Sequence, residues 1–322
     1  MKTTVAVIYG GRSGEHDVSL RSAESVIQAL DSERYKILHF MISREGRWSP
    51  RSITPEPGRH PEIDVVFPLV HGTFGEDGTL QGLLELAGLP YVGPGVLASS
   101  LAMDKEAAKR MCLQAGVPVV DYYLAGTPED ADRNPFGYPV FVKPANLGSS
   151  VGISKAKDEN SLREAINCAR LYDTKVIVER AIIGQELECA VLGNEQPKAS
   201  TPCEILPSRE FYDYDDKYLL GKTEVRLPAA ISAEQTALLQ ARAVAAYRAL
   251  LCEGMARVDF LLEHSSGNLY VNEVNTIPGF TSISMYPKMW EYSGLPYPRL
   301  LDRLIELAME RHQRRRSLRY TR

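Results

Sequence analysis

The first strand and the glycines that follow it limit the fold of this chain more than any other feature. Residues 4 to 9 (TVAVIY) form an apolar, β-branched run that ends at Gly10 and Gly11, and residues 18 to 30 then have the spacing of a helix. A second buried strand is predicted at residues 63 to 70. Strands that alternate with helices up to about residue 95 predict a parallel-sheet domain, in which ligands collect at the carboxyl ends of the strands.

The rest of the chain predicts a mixture of short strands and helices. Asp104 is placed to cap one helix and Gly116 to end it, while Ser232 and Gln235 have the spacing of a capping box at the start of a longer helix. A polar, tyrosine-rich stretch occupies residues 208 to 222. The later predicted strands are 139 to 143, 175 to 180, 186 to 193, 255 to 262 and 269 to 274, with a further helix near 159 to 171.

Composition excludes several classes of partner. With 322 residues, 24% of them charged, and a formal charge of −4, the chain has no overall attraction to nucleic acid or an acidic membrane, so small metabolites are the expected substrates. No run approaches the roughly 20 apolar residues of a membrane helix, and the N-terminal apolar run is too short for a signal sequence. The five cysteines lack CxxC spacing, so a reducing cytoplasm is expected rather than disulfides or zinc.

A glycine- and serine-rich loop is the candidate phosphate site. The chain contains neither a P-loop nor a dinucleotide-binding glycine fingerprint. Residues 142 to 152 (VKPANLGSSVG) instead place Lys143 at the end of a strand, followed by Ser149 and Ser150 between glycines. Small residues allow backbone N–H groups to approach phosphate oxygens closely. We therefore expect this loop to act as a lid over phosphates.

Two late strands carry an unusual set of polar residues. Strand alternation places Arg257 and Asp259 on one face of the first, and Glu273 and Asn275 on one face of the second. The alternative is a ladder of surface ion pairs, which contributes little to stability. The strands are otherwise apolar, however, and two carboxylates facing inward need a cation. Their oxygen atoms suit Mg²⁺ shared with nucleotide phosphates.

Two loops supply further candidate residues. Residues 275 to 284 (NTIPGFTSIS) change abruptly from a strand to a hydroxyl-rich Pro-Gly turn, whose N–H groups can face an oxyanion. The alternative is a helix N-terminus in which Ser284 is only structural. Residues 71 to 78 (HGTFGEDG) follow a buried strand, and His71 is either a substrate contact or a structural hydrogen-bonding group. Glu76 and Asp77 are expected to fix the loop rather than transfer protons.

Taken together, these segments resemble the D-alanine:D-alanine ligase family of the ATP-grasp superfamily, from Val7 to about Leu300. The segments that carry the resemblance are 10–20 (GGRSGEHDVSL), 71–85 (HGTFGEDGTLQGLLE), 103–105 (MDK), 142–151 (VKPANLGSSV), 211–218 (FYDYDDKY), 257–260 (RVDF) and 273–284 (EVNTIPGFTSIS). The resemblance implies an α/β and α+β protein with an ATP-grasp fold. It also implies three domains: a Rossmann-like domain at 1–100, a central ATP-grasp subdomain at 101–184 and a C-terminal ATP-grasp subdomain at 185–322.

The resemblance implies a role for each residue of a nucleotide and metal site. Lys105 and Lys143 would bind the ATP phosphates, with Lys217 reaching the γ-phosphate. The adenine would lie at Glu179 and Ile182 and the ribose at Glu186, while Ser149 and Ser150 would belong to the closing loop. Asp259, Glu273 and Asn275 would hold two Mg²⁺ ions, with Mn²⁺ as an alternative. Unlike many members of the family, the chain has no bulky aromatic residue near Ala181.

A substrate site is implied in the same way. Glu15 would bind the ammonium of the first D-alanine and form a triad with Ser149 and Tyr218, and His71 would lie near that substrate. Arg257 and the Gly279 N–H would stabilise the tetrahedral oxyanion. Ser284, beside Met285, would bind the carboxylate of the second D-alanine. The implied reaction passes through an acyl phosphate and forms D-alanyl-D-alanine for peptidoglycan, in a cytoplasmic homodimer that maintains cell wall and cell shape.

Alternative functions remain open from the sequence. A related ligase could use D-lactate or D-serine as its second substrate, although Lys217 and Tyr218 resemble the dipeptide-forming members. A catalytically inactive nucleotide sensor would be expected to lose some of the motif residues, and none is lost. The tail from Arg311, with six arginines in twelve residues, is not part of the family pattern; it is expected to be a frayed helix end or disordered, with nucleic-acid binding as the less favoured alternative.

Overall fold

The computed structural model describes residues 2–206 and 224–319, which form three β-sheets flanked by helices. The first sheet contains β1 (Thr3–Gly10), β2 (Tyr35–Ile42), β3 (Trp48–Ser49) and β4 (Val65–Pro68) in the order β3-β2-β1-β4. β1 pairs in parallel with both β2 and β4, and α1 (His16–Ala29) follows β1. The expected parallel sheet is therefore confirmed, and the Gly10 and His71 loops both leave its carboxyl edge.

Gly10 is required where β1 ends. Its φ of 90° lies in the left-handed region, and a Cβ there would lie 2.2 Å from the carbonyl oxygen of Ile42. The chain can therefore turn sharply from the strand into α1. Two short helices, α2 (Thr79–Ala87) and α3 (Val96–Met103), complete the N-terminal third. The domain boundary predicted at residue 100 falls inside α3.

The second sheet is antiparallel and carries the glycine-serine loop. It contains β5 (Tyr122–Ala125), β6 (Val140–Pro144), β7 (Ser154–Ala156) and β8 (Val176–Arg180) in the order β5-β8-β6-β7. Helix α4 (Lys105–Gln114) begins at Asp104, whose carboxylate accepts hydrogen bonds from the Glu106 and Ala107 N–H groups. Helix α5 (Glu159–Ala169) packs its apolar face on β6 and β7. The cap predicted at Asp104 is thus confirmed.

The third sheet brings the two polar strands together. Its strands are β9 (Gly184–Leu192), β10 (Lys198–Ala199), β11 (Cys203–Leu206), β12 (Glu224–Arg226), β13 (Met255–Glu263) and β14 (Leu269–Asn275). The order is β12-β11-β9-β13-β14, with β10 on β9. The antiparallel register sets Arg257 opposite Asn275 and Asp259 opposite Glu273. The shared face predicted from strand alternation is confirmed.

Three helices cover the third sheet and join it to the first. Helix α6 (Ala233–Ala249) begins with the predicted capping box, because Ser232 and Gln235 bond reciprocally to each other's backbone. Helices α7 (Met285–Tyr292) and α8 (Tyr297–Arg316) place their apolar residues in one core with Val7 and Phe67 of the first sheet. Within the described residues, no helix is both long and apolar enough to span a bilayer.

The prediction for the arginine-rich tail is wrong for residues 311 to 316. These residues form the last turns of α8, and Arg311 is only 3% exposed. Its guanidinium donates to the carbonyl oxygens of Tyr91, at 2.9 Å, and Gly93, and stacks 4.3 Å from the Tyr91 ring centroid. Arg315 pairs with Glu85. Arg311 therefore anchors α8 to the chain at residues 91 and 93, whereas Arg314, Arg315 and Arg316 are exposed.

Candidate active site

Two adjoining cavities contain every predicted site residue that the structure describes. The smaller, of about 160 Å³, is lined by Glu15, His71, Lys105, Ser149, Arg257, Glu273, Asn275, Gly279, Ser284 and Met285. The larger, of about 630 Å³, is lined by Lys105, Lys143, Ser150, Glu179, Ile182, Glu186, Asp259 and Glu273. Lys105 and Glu273 line both cavities, so a ligand in one can contact a ligand in the other. Lys217 and Tyr218 lie outside the described residues.

A contact between distant segments closes one side of the smaller cavity. The Ser149 hydroxyl donates to a Glu15 carboxylate oxygen at 2.5 Å, across 134 residues of sequence. Ser149 and Ser150 have φ values of 51° and 58°, the left-handed region that residues other than glycine seldom adopt. Such backbone conformations persist when surrounding contacts hold them and are frequent at ligand-binding loops. The glycine-serine loop therefore reaches the start of α1, which brings two members of the expected triad into contact.

His71 is buried and fully occupied by hydrogen bonds. Its Nδ1 lies 3.0 Å from the carbonyl oxygen of Ile277, and its Nε2 lies 3.0 Å from the Ser22 hydroxyl. A carbonyl can only accept, so Nδ1 carries the proton and Nε2 accepts from Ser22. Burial lowers the pKa of His71, although Glu15 opposes this. A neutral His71 thus ties α1 to the turn after β14, and a polar contact with substrate would require one of these bonds to break.

The acidic residues after His71 organise the same turn. Glu76 accepts hydrogen bonds from the N–H groups of Gly72 at 2.6 Å and Ile277 at 3.2 Å. Burial, together with the nearby Glu15 carboxylate, raises the pKa of Glu76 well above its usual value. Asp77 accepts from the N–H groups of Phe74 and Thr79 at 2.8 and 2.9 Å. Both carboxylates fix loops, as the sequence predicted.

The turn after β14 is closely packed around Ser284. The Ser284 hydroxyl lies 3.0 Å from the Thr281 N–H, which donates to it, and 2.8 Å from the Thr281 hydroxyl. A Cβ on Gly279 would lie 2.7 Å from Ser284 Oγ, so only glycine fits there. Ser284 immediately precedes α7 but its side chain makes no capping hydrogen bond to that helix. Ser284 therefore lines the smaller cavity and does not cap the helix.

Lysines converge where the two cavities meet. Lys143 lies 2.6 Å from Glu179 and donates to the Asn272 side-chain oxygen at 3.1 Å. Lys105 donates to the carbonyl oxygen of Leu147 at 2.5 Å and lies 3.8 Å from Glu273. Because both ammonium groups are largely buried, their attraction for phosphate oxygens is screened much less than at the surface.

Arg257 is held by a planar, two-bond contact with Asp259. The guanidinium Nε and Nη2 each lie 2.7 Å from a different Asp259 oxygen, and Glu188 is 3.4 Å from Nε. Burial alone would lower the pKa of Arg257, but the two carboxylates raise it further above its usual value. The arginine thus remains a cation with a fixed orientation in the smaller cavity.

The residues predicted to bind metal fit a divalent cation with oxygen ligands. Asn275 Oδ1 is buried and has no hydrogen-bond partner, which is costly unless a ligand satisfies it. Asp259 and Glu273 lie opposite each other on β13 and β14, beside Arg257 and Asn275. Over residues 2–206 and 224–319, no three histidine, cysteine or acidic side chains form a metal cluster. The predicted set consists of two carboxylates and one amide, whose oxygen atoms are ligands that Mg²⁺ accepts.

Several residues of the site were missed by sequence reasoning. Glu188 faces both cavities and contacts Arg257, and Asn272 accepts from Lys143. Lys109 contacts Glu179 at 3.1 Å. Glu188 lies two residues after Glu186 on β9 and Lys109 lies one helical turn after Lys105, so strand and helix periodicity could have identified both. No sequence signal pointed to Ser22, whose partner His71 is 49 residues away.

Family models match most of the chain. The model described as the D-ala D-ala ligase C-terminus matches residues 111–306. The model described as the D-ala D-ala ligase N-terminus matches residues 4–57 and 51–94. Together the two matches contain almost all of the residues that line the two cavities.

Individual proteins and solved structures agree with the family models. A D-alanine–D-alanine ligase from Solibacter usitatus is 61% identical, with all of both chains covered, and one from Caldicellulosiruptor bescii is 45% identical over 99% of each. The D-alanine–D-alanine ligase structure from Coxiella burnetii has a TM-score of 0.88 at 40% identity, covering 98% of this chain and 96% of its own. The D-Ala:D-Ser ligase VanG from Enterococcus faecalis has a TM-score of 0.86 at 38% identity, covering 96% and 100%. The chain therefore has the ATP-grasp fold and belongs to the D-alanine–D-alanine ligase family.

Proposed function

We propose that this enzyme, an ATP-dependent ligase, joins two D-alanine molecules through an acyl phosphate to make D-alanyl-D-alanine for peptidoglycan synthesis. The observation that carries this function is the pair of adjoining cavities with Lys105 and Glu273 in their common wall. The larger cavity has the volume expected for a nucleotide-sized ligand, and the smaller one suits compact zwitterions. Phosphoryl transfer requires these two ligands to meet at one point.

The larger cavity is proposed to bind ATP. Lys105 and Lys143 would bind the phosphates because their ammonium groups are buried beside it. Glu179 and Ile182 would contact the adenine and Glu186 the ribose, while Ser150 would close over the phosphates. Lys217 is proposed for the γ-phosphate from the family resemblance alone.

The smaller cavity is proposed to bind both D-alanine molecules. Glu15, already bonded to Ser149, would bind the ammonium of the first, and Ser284, beside Met285, the carboxylate of the second. His71 would support the first substrate mainly through the turn it holds. Tyr218 is proposed as the third member of the triad with Glu15 and Ser149. The ammonium of a zwitterion can pair with the Glu15 carboxylate, and its carboxylate can accept hydrogen bonds from hydroxyl donors such as Ser284.

Asp259, Glu273 and Asn275 are proposed to hold two Mg²⁺ ions, which Mn²⁺ could replace. When bound, such ions neutralise the phosphate charge and polarise the oxygen atoms between which the phosphoryl group moves. The supporting observation is the unsatisfied Asn275 oxygen beside the two carboxylates. Mg²⁺ is favoured because carboxylate and amide oxygens are its usual protein ligands.

The chain's own residues would organise both steps of the reaction. The two lysines orient ATP for transfer of its γ-phosphoryl group to the carboxylate of the first D-alanine. The amine of the second then attacks the acyl carbon, and Arg257 and the Gly279 N–H stabilise the resulting oxyanion before phosphate leaves. No covalent enzyme nucleophile is needed. The Ser149 contact with Glu15 closes the loop over this centre and would exclude water, which would otherwise hydrolyse the acyl phosphate.

Phosphate release with ATP, Mg²⁺ and D-alanine tests this function directly. We expect release only when D-alanine is present, and D-alanyl-D-alanine as the product in mass spectrometry. Turnover with another amino acid, but none with D-alanine, would contradict the substrate assignment. A protein that binds ATP but never releases phosphate would instead be a nucleotide sensor.

D-serine or D-lactate as the second substrate is the competing function, because the VanG D-Ala:D-Ser ligase is among the similar structures. Both should be offered together with D-alanine and their products quantified. We expect dipeptide to dominate, and Tyr218→Phe to raise the fraction of D-alanyl-D-lactate. Unchanged lactate incorporation with intact dipeptide synthesis would exclude that role for Tyr218.

The cellular setting and assembly belong to the same proposal. A peptidoglycan precursor ligase would act in the cytoplasm, where ATP is supplied. A homodimer is proposed from the family resemblance and is testable by light scattering. The division at 1–100, 101–184 and 185–322 also stays a prediction, and limited proteolysis would test it.

A further inference from the structure

Lys109 is a buried lysine behind the larger cavity, and the proposed function gives it no role. It lies on α4 and is 2% exposed. Its ammonium is 3.1 Å from Glu179 Oε1, and the ring centroid of Tyr122 is 5.8 Å away. A buried charge is costly unless it is paired, so Lys109 depends on Glu179. Lys109 does not line the larger cavity, whereas Glu179 and Lys143 both do.

Glu179 is shared between two lysines. Its Oε2 lies 2.6 Å from Lys143 and its Oε1 3.1 Å from Lys109, so one carboxylate bridges two ammonium groups. Burial by itself would raise the pKa of Glu179, but the two lysines outweigh it and lower the pKa to about 2. Burial and the neighbouring Lys143 lower the pKa of Lys109, while Glu179 opposes them. The three groups together carry one net positive charge in a region shielded from solvent.

This arrangement allows Lys143 to change partners. If Lys143 were the only cation beside Glu179, its movement towards a phosphate would leave a buried carboxylate unpaired. Removing one partner of a buried ion pair is strongly destabilising for that reason. With Lys109 in place, Glu179 keeps a partner when Lys143 moves. A phosphate oxygen can take the place of the Asn272 side-chain oxygen as the acceptor for Lys143. Because Asn272 is neutral, this exchange leaves no second charge unpaired.

We propose that Lys109 is a positioning residue that keeps Glu179 paired while Lys143 binds the nucleotide phosphates. The inference rests on the proposed ATP site, because it requires the phosphates to lie beside Lys143. Lys109 itself touches neither nucleotide nor substrate. It acts through Glu179, and its contribution therefore depends on the phosphate charge of the ligand.

Calorimetric binding of ATP, ADP and adenosine tests the proposal in the full-length protein. Lys109→Met has a similar volume but no charge. We expect this variant to bind ATP about 10- to 100-fold more weakly, since Glu179 would then compete with phosphate for Lys143, its remaining partner among the described residues. Adenosine has no phosphate and would meet Glu179 only through its base, so it should lose much less affinity than ATP does. Lys109→Arg should recover most of the affinity for ATP, because a guanidinium also pairs with Glu179.

Lys175→Met is the matched control. Lys175 also bridges two carboxylates, those of Asp104 and Glu106, but lines neither cavity. The Lys175→Met variant should be less stable than wild type, but its affinity for ATP should not fall more than its affinity for adenosine. The proposal is overturned if Lys109→Met weakens ATP and adenosine equally, as a distorted fold would, or leaves ATP affinity unchanged.

A second pair of variants keeps the test decisive if Lys109→Met fails to fold. In a Glu179→Gln background there is no carboxylate for Lys143 to leave, so adding Lys109→Met should change ATP affinity by no more than about threefold. A loss of about tenfold or more on adding Lys109→Met to Glu179→Gln would mean that Lys109 acts on the nucleotide directly, and would refute the proposal. Wild-type protein that binds ATP but makes no dipeptide would overturn the proposed ligation and not this role of Lys109.

Discussion

Replacing Arg257 with lysine separates its geometry from its charge. Arg257 donates two hydrogen bonds of 2.7 Å to Asp259, and lysine can supply only one such contact because its ammonium is a point donor. A charge-assisted hydrogen bond contributes about 1.5–3 kcal/mol, so we expect Arg257→Lys to lose about 2 kcal/mol of unfolding free energy. If Arg257 also stabilises the oxyanion, removal of that donor should lower kcat about 100-fold or more.

Phosphate release and urea unfolding measure the two effects on the same preparations. The KM for ATP should stay within a few-fold of wild type, because Arg257 lines the smaller cavity only. Arg163→Lys is the control: Arg163 also pairs with two carboxylates, Asp132 and Glu159, but lies away from both cavities. Its kcat should not change. An Arg257→Lys enzyme that loses stability but keeps its kcat would refute the oxyanion role and leave Arg257 as a structural cation.

Three further predictions address stability, pH and metal. Arg311→Met should lower the unfolding free energy by about 3 kcal/mol, because two backbone carbonyl groups lose their hydrogen-bond donor. Arg316 is exposed, so Arg316→Met should change the unfolding free energy by less than about 0.5 kcal/mol. Similar urea midpoints for the two variants would contradict the packing of α8. Because burial lowers the pKa of His71, the unfolded chain binds more protons than the folded chain below the ordinary histidine pKa of about 6.5. Stability should therefore fall as pH drops through this value, and the dependence should weaken in His71→Asn. Equal slopes for the two proteins would exclude His71 as the cause. Chelation of divalent cations should abolish phosphate release, and added Mg²⁺ should restore it. Asn275→Leu should raise the Mg²⁺ concentration that gives half-maximal rate at least about tenfold. If that concentration does not change, Asn275 is not a ligand of the metal.

The regular parts of the site could be predicted because strand and helix periods fix which side chains share a face. The alternation on β13 and β14 predicts that Asp259, Glu273 and Asn275 lie together, and the observed register confirms this. Asp104 and Ser232 were recognisable caps because a cap depends on residues only three positions away. Such local rules determine much of the fold without reference to distant segments.

The remainder depends on contacts between distant segments, which no local rule describes. Arg311 resembles a solvated tail residue in the sequence, yet its partners are carbonyl oxygens 218 and 220 residues away. The sequence leaves His71 open between a substrate contact and a structural role, because Ser22 and Ile277, which occupy its two ring nitrogens, are distant in the chain. Backbone donors and acceptors carry no side-chain signature, so a buried side chain that binds them cannot be recognised from its residue type.

The shared core of the first sheet and the last helices has a consequence for synthesis of the chain. Val7 and Phe67 pack with residues of α7 and α8, and the Phe67 and Phe280 rings lie 5.7 Å apart. A ribosome therefore releases the β1–β4 sheet long before its covering helices exist. Until residue 308 of that core has emerged, one apolar face of the sheet stays uncovered, and such surfaces promote aggregation. Premature termination before α8 would therefore leave this face of the sheet uncovered and produce an aggregation-prone fragment rather than a folded N-terminal unit.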